Sequence, residues 1–228
     1  MAPPSGDRKL ELRGLARGLG RSPKLVWRRT QVPRGRGEPV MALPGFMSGD
    51  GATAVLRGWL RSVGWDARPW GVGFNTGQVE RLLPRAEARL AALAERGGGP
   101  VRLVGWSLGG VIARELARRR PELVERIVTL GSPVRGGPKY TRARAYYEQR
   151  GFDLDAIEAR IHARNMVTIA APITAIYSKR DAIVAWQSCL DPNPDNQVEH
   201  LEVDATHLEL GFCPDVLELV ARRLAAPR

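Results

Sequence analysis

The stretch "VRLVGWSLGGVIARELA", Val101 to Ala117, decides the fold. An apolar run leads into a turn of small residues carrying Ser107, and a helical pattern starts at once with Leu108. Gly105-Trp106-Ser107-Leu108-Gly109 fits G-x-S-x-G, in which a strand-to-helix turn lifts a serine hydroxyl above a sheet. Glycines at 105 and 109 let a strained turn pass close to its neighbours. The helix N-terminus beneath Ser107 favours the negative charge that develops in acyl transfer. Taken alone, the same five residues could equally be a structural turn between two pieces of core. The rest of the chain must supply a base, an acid and oxyanion donors.

Working outward, strand and helix patterns alternate from residue 39. "PVMAL" is a strand, "GATAVLRGWLRSV" a helix, "WDARPW" a strand and "GQVERLLPRAEARLAALAERG" a long helix halted at Gly97–Gly99. After Val101–Ala117 come strand "VERIVTLGS", strand "APITAIYS", strand "QVEHLEV" and a closing helix "CPDVLELVARRLA". Residues 132–170 break the rhythm with two polar helices, "KYTRARAYYEQRG" and "LDAIEARIHARNMV". Strands separated by helices predict an α/β fold, with a mostly parallel sheet of about six strands flanked by helices. Function in such sheets sits in loops beyond the C-terminal strand ends.

Composition bounds the partners. The chain has 228 residues and is 43% hydrophobic, enough for one domain with a full core. Residues 1–37 hold ten Lys or Arg against Asp7 and Glu11, a net of +8 within a total of +11. They form a basic N-terminal arm; residues 38–228 form the domain, with the 132–170 insertion inside it. Such an arm suits peripheral contact with an anionic membrane, or else stands as a partly ordered, solvated segment. No nucleic-acid motif accompanies it, so no nucleic-acid partner is expected. Without a secretory signal or a membrane-spanning run, a cytoplasmic location is expected. Cys189 and Cys213 suit two buried thiols, or one bridge, since both follow neighbouring strands.

A serine hydroxyl needs a base, and three histidines are available: His162, His200 and His207. His162 falls mid-helix in the insertion and His200 inside a strand. His207, in "VDATHLELGF", follows the last strand, where a base is required. The orienting acid is Asp181 in "ITAIYSKRDAIV", at the mouth of the preceding strand. Asp204 competes but suits a brace for the turn, and Asp153 and Asp155 suit a helix start. Ser107, Asp181 and His207 thus fall on three strand ends. For the oxyanion, the backbone N–H of Leu108 follows the nucleophile. The second donor comes from "LPGFMSGDG": Phe46 first, Met47 second, since Pro44 has no N–H. Asn75 suits a helix N-cap or a pocket wall. Trp106 is the preferred aromatic at the site over Trp70 and Trp186; Met47 is a further substrate contact, and Tyr140, Tyr146 and Tyr147 belong to the insertion.

On "LPGF", "VGWSLGG", "YSKRDAIV" and "ATHLELGF", the chain resembles the α/β-hydrolase family, particularly its bacterial lipase- and esterase-like members, over residues 39–225. The resemblance implies Ser107 as nucleophile, His207 as base and acid, Asp181 as orienter, and Phe46 and Leu108 as oxyanion amides. It also makes the insertion a cap, and it implies no metal or organic cofactor. Many lipases of the family carry His-Gly in the oxyanion loop where this chain has Pro44-Gly45. The expected activity is cleavage of a small-molecule or lipid carboxylic ester through an acyl-enzyme. An acyltransferase or thioesterase on the same triad is the first rival. A non-catalytic protein docking to a membrane or partner through residues 1–37 is the second.

Overall fold

The computed structural model describes residues 30–227 and, before them, Met1, Pro4, Glu11, Arg13 and Gly14. Six strands form one sheet: β1 (Pro39–Leu43), β2 (Asp66–Pro69), β3 (Val101–Trp106), β4 (Val124–Leu130), β5 (Ile173–Tyr177) and β6 (Val198–Glu202). Their order is β2-β1-β3-β4-β5-β6, and every pairing is parallel. Helices α1 (Ala54–Ser62), α2 (Val79–Gly97), α3 (Leu108–Arg119) and α6 (Pro214–Leu224) cover the two faces. Between β4 and β5 lie α4 (Arg144–Glu148) and α5 (Leu154–Asn165).

The hydrophobic pattern explains this layering. All five residues of β1 are buried, as a central parallel strand requires. Its alternate side chains part: Val40 and Ala42 join the core under α1 and α6, while Met41 and Leu43 join the core under α2 and α3. On the first face Trp59 donates its indole N–H to the Leu217 carbonyl at 3.0 Å, tying α1 to α6. On the second, Leu83, Leu90, Ile112 and Leu116 are fully buried. Chain order reverses between β1 and β3, and at such a switch point the loops diverge and leave a crevice. The loops after β1 and β3 both open there.

Several expectations change in detail. The first insertion helix is shortened to α4, because residues Gly137–Tyr140 form a 3-10 turn and Thr141 pairs with Val184 in an antiparallel bridge. Asp153 caps α5, accepting the N–H groups of Asp155 and Ala156. Cys189 and Cys213 are both free and buried, so there is no bridge between them. Most of the basic arm lies outside the described residues. Its described residues Glu11 and Gly14 are buried against the body. Among the described residues no helix is long and apolar enough to cross a membrane.

Candidate active site

Ser107 sits between β3 and α3 with φ 54° and ψ −124°, a left-handed conformation that serine rarely adopts. Such a residue costs on the order of 1–3 kcal/mol and persists only where its surroundings enforce it. Here they do. Its N–H donates to the Leu130 carbonyl on the neighbouring strand at 2.7 Å, and its carbonyl accepts from Gly110. A Cβ on Gly105 would stand 2.4 Å from the Gly110 Cα, and one on Gly109 would stand 2.2 Å from the Leu43 carbonyl oxygen. No side chain fits either position, so both glycines are needed for strand and helix to meet this closely.

His207 and Asp181 come together across two loops. Nδ1 of His207 lies 2.6 Å from Oδ2 of Asp181, and both side chains are almost wholly buried. The other oxygen, Oδ1, accepts the N–H groups of Ile183 at 2.8 Å and Val184 at 2.7 Å, which locks the carboxylate's orientation. Burial by itself pushes the His207 pKa down. The Asp181 charge and hydrogen bond outweigh it, Glu11 adds to them, and the net direction is up. Trp106 donates its indole N–H to the His207 carbonyl at 3.2 Å, tying the His207 loop to the strand that precedes Ser107.

The loop after β1 is built around Asn75, which is fully buried. Its Nδ2 donates to the Pro44 carbonyl at 2.9 Å, its N–H donates to Ser48, and its carbonyl accepts from Met47. The Ser48 hydroxyl closes the turn onto the Gly45 carbonyl. Asn75 is therefore neither a helix N-cap nor a bare pocket wall; Gln78 precedes α2. The Met47 N–H is committed to Asn75, whereas the N–H groups of Phe46 and Leu108 have no partner among the described residues. The loop also approaches the serine: a Cβ on Gly45 would lie 3.2 Å from the Ser107 Cβ.

A cavity of about 880 Å³ lies between these loops and the insertion, with Ser107, His207, Phe46, Leu108 and Trp106 in its wall. Its roof is aromatic. Phe46 meets Tyr146 edge-on at 5.1 Å and lies 5.8 Å from Tyr147, which in turn contacts Phe152. The Tyr147 hydroxyl reaches the Gly77 carbonyl, and burial, with Tyr146 beside it, pushes its pKa up to about 12. Among the charged wall residues Arg118 pairs with Glu115, Arg164 with Glu80, and Arg114 with Asp191 behind the wall; Arg81, Arg142 and Arg160 line it too.

Not every expected residue is at the site. Met47, at a positive φ of 52°, is half exposed and outside the cavity wall. Trp70 is buried in the core and Trp186 stacks on Tyr177. Tyr140 donates to Glu158 rather than lining the cavity. Asp204 accepts from exposed Arg180 at 2.7 Å. His200 accepts the Asp191 N–H at the sheet edge.

Three residues escape the sequence reading. Glu11 accepts N–H groups from both the Asp181 loop and the His207 loop. Glu209, fully buried, accepts the Thr206 N–H at 2.8 Å. Gly131, at φ 54°, lies directly beneath the His–Asp pair: an added Cβ would be 3.1 Å from both Asp181 Oδ2 and His207 Nδ1. Only the glycine at a strand end had a readable signal.

Comparison with known proteins places the chain in a family and a fold. Residues 13–225 match the model of the alpha/beta hydrolase family. One of two metagenome-derived lipolytic enzymes has a similar structure, with a TM-score of 0.64 at 15% identity, covering 85% of this chain and 94% of that one. The monoacylglycerol lipase of Paleococcus ferrophilus gives 0.52 at 17% identity, covering 81% and 96%. A 71-residue segment is 42% identical to homoserine O-acetyltransferase of Thermus thermophilus, 31% of this chain but only 18% of that enzyme.

Proposed function

The chain belongs to the α/β-hydrolase family, and from that premise we propose that it cleaves carboxylic esters through an acyl-enzyme on Ser107. The observation that carries this reading is the buried 2.6 Å His207–Asp181 contact in the wall of the cavity that also holds a strained Ser107. Asp181 accepts from Nδ1–H and leaves Nε2 as the base. His207 takes the hydroxyl proton while Ser107 Oγ attacks the ester carbonyl. The Phe46 and Leu108 N–H groups, without other partners among the described residues, donate to the oxyanion. His207 then protonates the departing alcohol; water, deprotonated by His207, releases the acid and restores the serine. The aromatic roof favours an acyl or aryl group.

The test is an acyl-length series of p-nitrophenyl esters combined with labelling by a fluorophosphonate. Hydrolysis is expected, with label on Ser107 and both lost in Ser107→Ala. Label retained in Ser107→Ala, or no turnover at any chain length, overturns the assignment.

The segment shared with an acetyltransferase favours a second reading, transfer of the acyl group to an alcohol. Adding homoserine or another alcohol to the ester assay separates the two. A new ester among the products supports transfer, and free acid alone supports hydrolysis.

A further inference from the structure

Glu11 belongs to the basic arm and lies outside the span matched by the family, yet it is 5% exposed. Its Oε1 accepts the N–H of Ala182 at 3.0 Å and of His207 at 3.2 Å; its Oε2 accepts the N–H of Leu208 at 3.0 Å. Ala182 adjoins Asp181, so one carboxylate grips the backbone beside the acid and beside the base. A second contact holds the same segment down. Gly14 lies so close to the base loop that an added Cβ would be 2.3 Å from the Thr206 hydroxyl and 2.9 Å from Glu209 Oε2.

We infer that Glu11 is a positioning residue for the Asp181–His207 pair, and that the arm carries it there as a clamp across the two loops. This rests on the hydrolase reading for its kinetic consequences but not for its geometry. Only a carboxylate suits the task, because it offers two acceptor oxygens and no donor. Glutamine has the same size but presents an NH₂ group to at least one of the three N–H donors. The buried charge also stands close to the imidazole. The titratable groups around His207 are Asp181 on the β5 loop, Glu11 on the arm and Glu209 on its own loop.

Glu11→Gln in the full chain tests this. With p-nitrophenyl acetate, kcat is expected to fall about 10- to 100-fold, as small misplacements of a base do, with KM changed less than about threefold. The midpoint of kcat/KM against pH is expected to move down, since a negative neighbour of the imidazolium is gone. Glu11→Asp keeps the charge and both acceptors on a shorter stem, so it should recover part of the rate and most of the midpoint. A merely structural role would lower the melting temperature and leave the midpoint in place. Unchanged kcat and midpoint in folded Glu11→Gln overturn the inference. Should that variant not fold, a fully wild-type kcat in Glu11→Asp, whose shorter stem should not span both loops, overturns it. If the wild-type protein neither hydrolyses esters nor takes the fluorophosphonate, the functional reading has failed on its own. The clamp is then judged by the far-downfield proton resonance of the His207–Asp181 hydrogen bond. Its loss or shift in Glu11→Gln supports the clamp, and its persistence unaltered rejects it.

Discussion

At the scale of single residues, His207 ties structure to rate. Its pKa stands above the ordinary imidazole value, because Asp181 and Glu11 outweigh the burial that lowers it. A base must be neutral to accept the serine proton. kcat/KM should therefore rise as pH climbs through the raised value and be lost as pH falls below it. Asp181→Asn is expected to cost about 10⁴ in kcat, as loss of the orienting carboxylate does in serine hydrolases. A plot of kcat/KM from pH 5 to 9 for both proteins checks direction and size. A wild-type midpoint below about 6.5 would contradict the arrangement. Gly131→Ala makes a separate prediction. A methyl wedged 3.1 Å from both partners at a positive φ should weaken their bond, lowering kcat more than KM.

At the scale of elements, the loop after β1 owes its shape to one side chain. Asn75→Ala removes the donor to Pro44 and leaves that carbonyl unpaired in a buried position, a loss of about 1–3 kcal/mol. The expected result is a lower melting temperature together with a lower kcat, because Phe46 depends on the same turn. If kcat is unchanged in the folded variant, the loop does not need Asn75 for its function. This scale also shows what could be read in advance. β1, β3 and β4 are apolar runs bounded by turn residues, and α1, α2 and α6 repeat their apolar side every turn, so these elements follow from local pattern. The strand-end positions of Ser107, Asp181 and His207 follow from chain order alone. Glu11 and Asn75 do not, since their partners are distant in the chain or are backbone groups without sequence identity. The shortening of α4 had the same cause: the Thr141–Val184 bridge spans residues that no window of sequence joins.

At the scale of the whole molecule, a second buried network holds the far end of the cavity. Arg114 on α3 and Asp191 meet with side chains 3% and 2% exposed. Asp191 also accepts from Asn196, whose Oδ1 receives the Ile169 N–H, and Asn193 donates to the Asn165 carbonyl at the end of α5. Helix α3, the 191–196 loop and the end of α5 are thus joined by buried polar groups, although Nε and Nη2 of Arg114 have no partner among the described residues. Arg114→Leu leaves a buried carboxylate without its cation and should destabilise the fold by about 3–5 kcal/mol, as measured by urea unfolding. Pairing it with Asp191→Leu should recover a large part of that loss; a strictly additive double mutant would show that the two residues do not act together.

The Glu11 contacts also bear on how the protein is made. Glu11 leaves the ribosome 171 residues ahead of Ala182 and 196 ahead of His207. Contacts of such separation form late and slowly. Glu11 is therefore made well before either loop it grips, and its contacts wait until both have emerged.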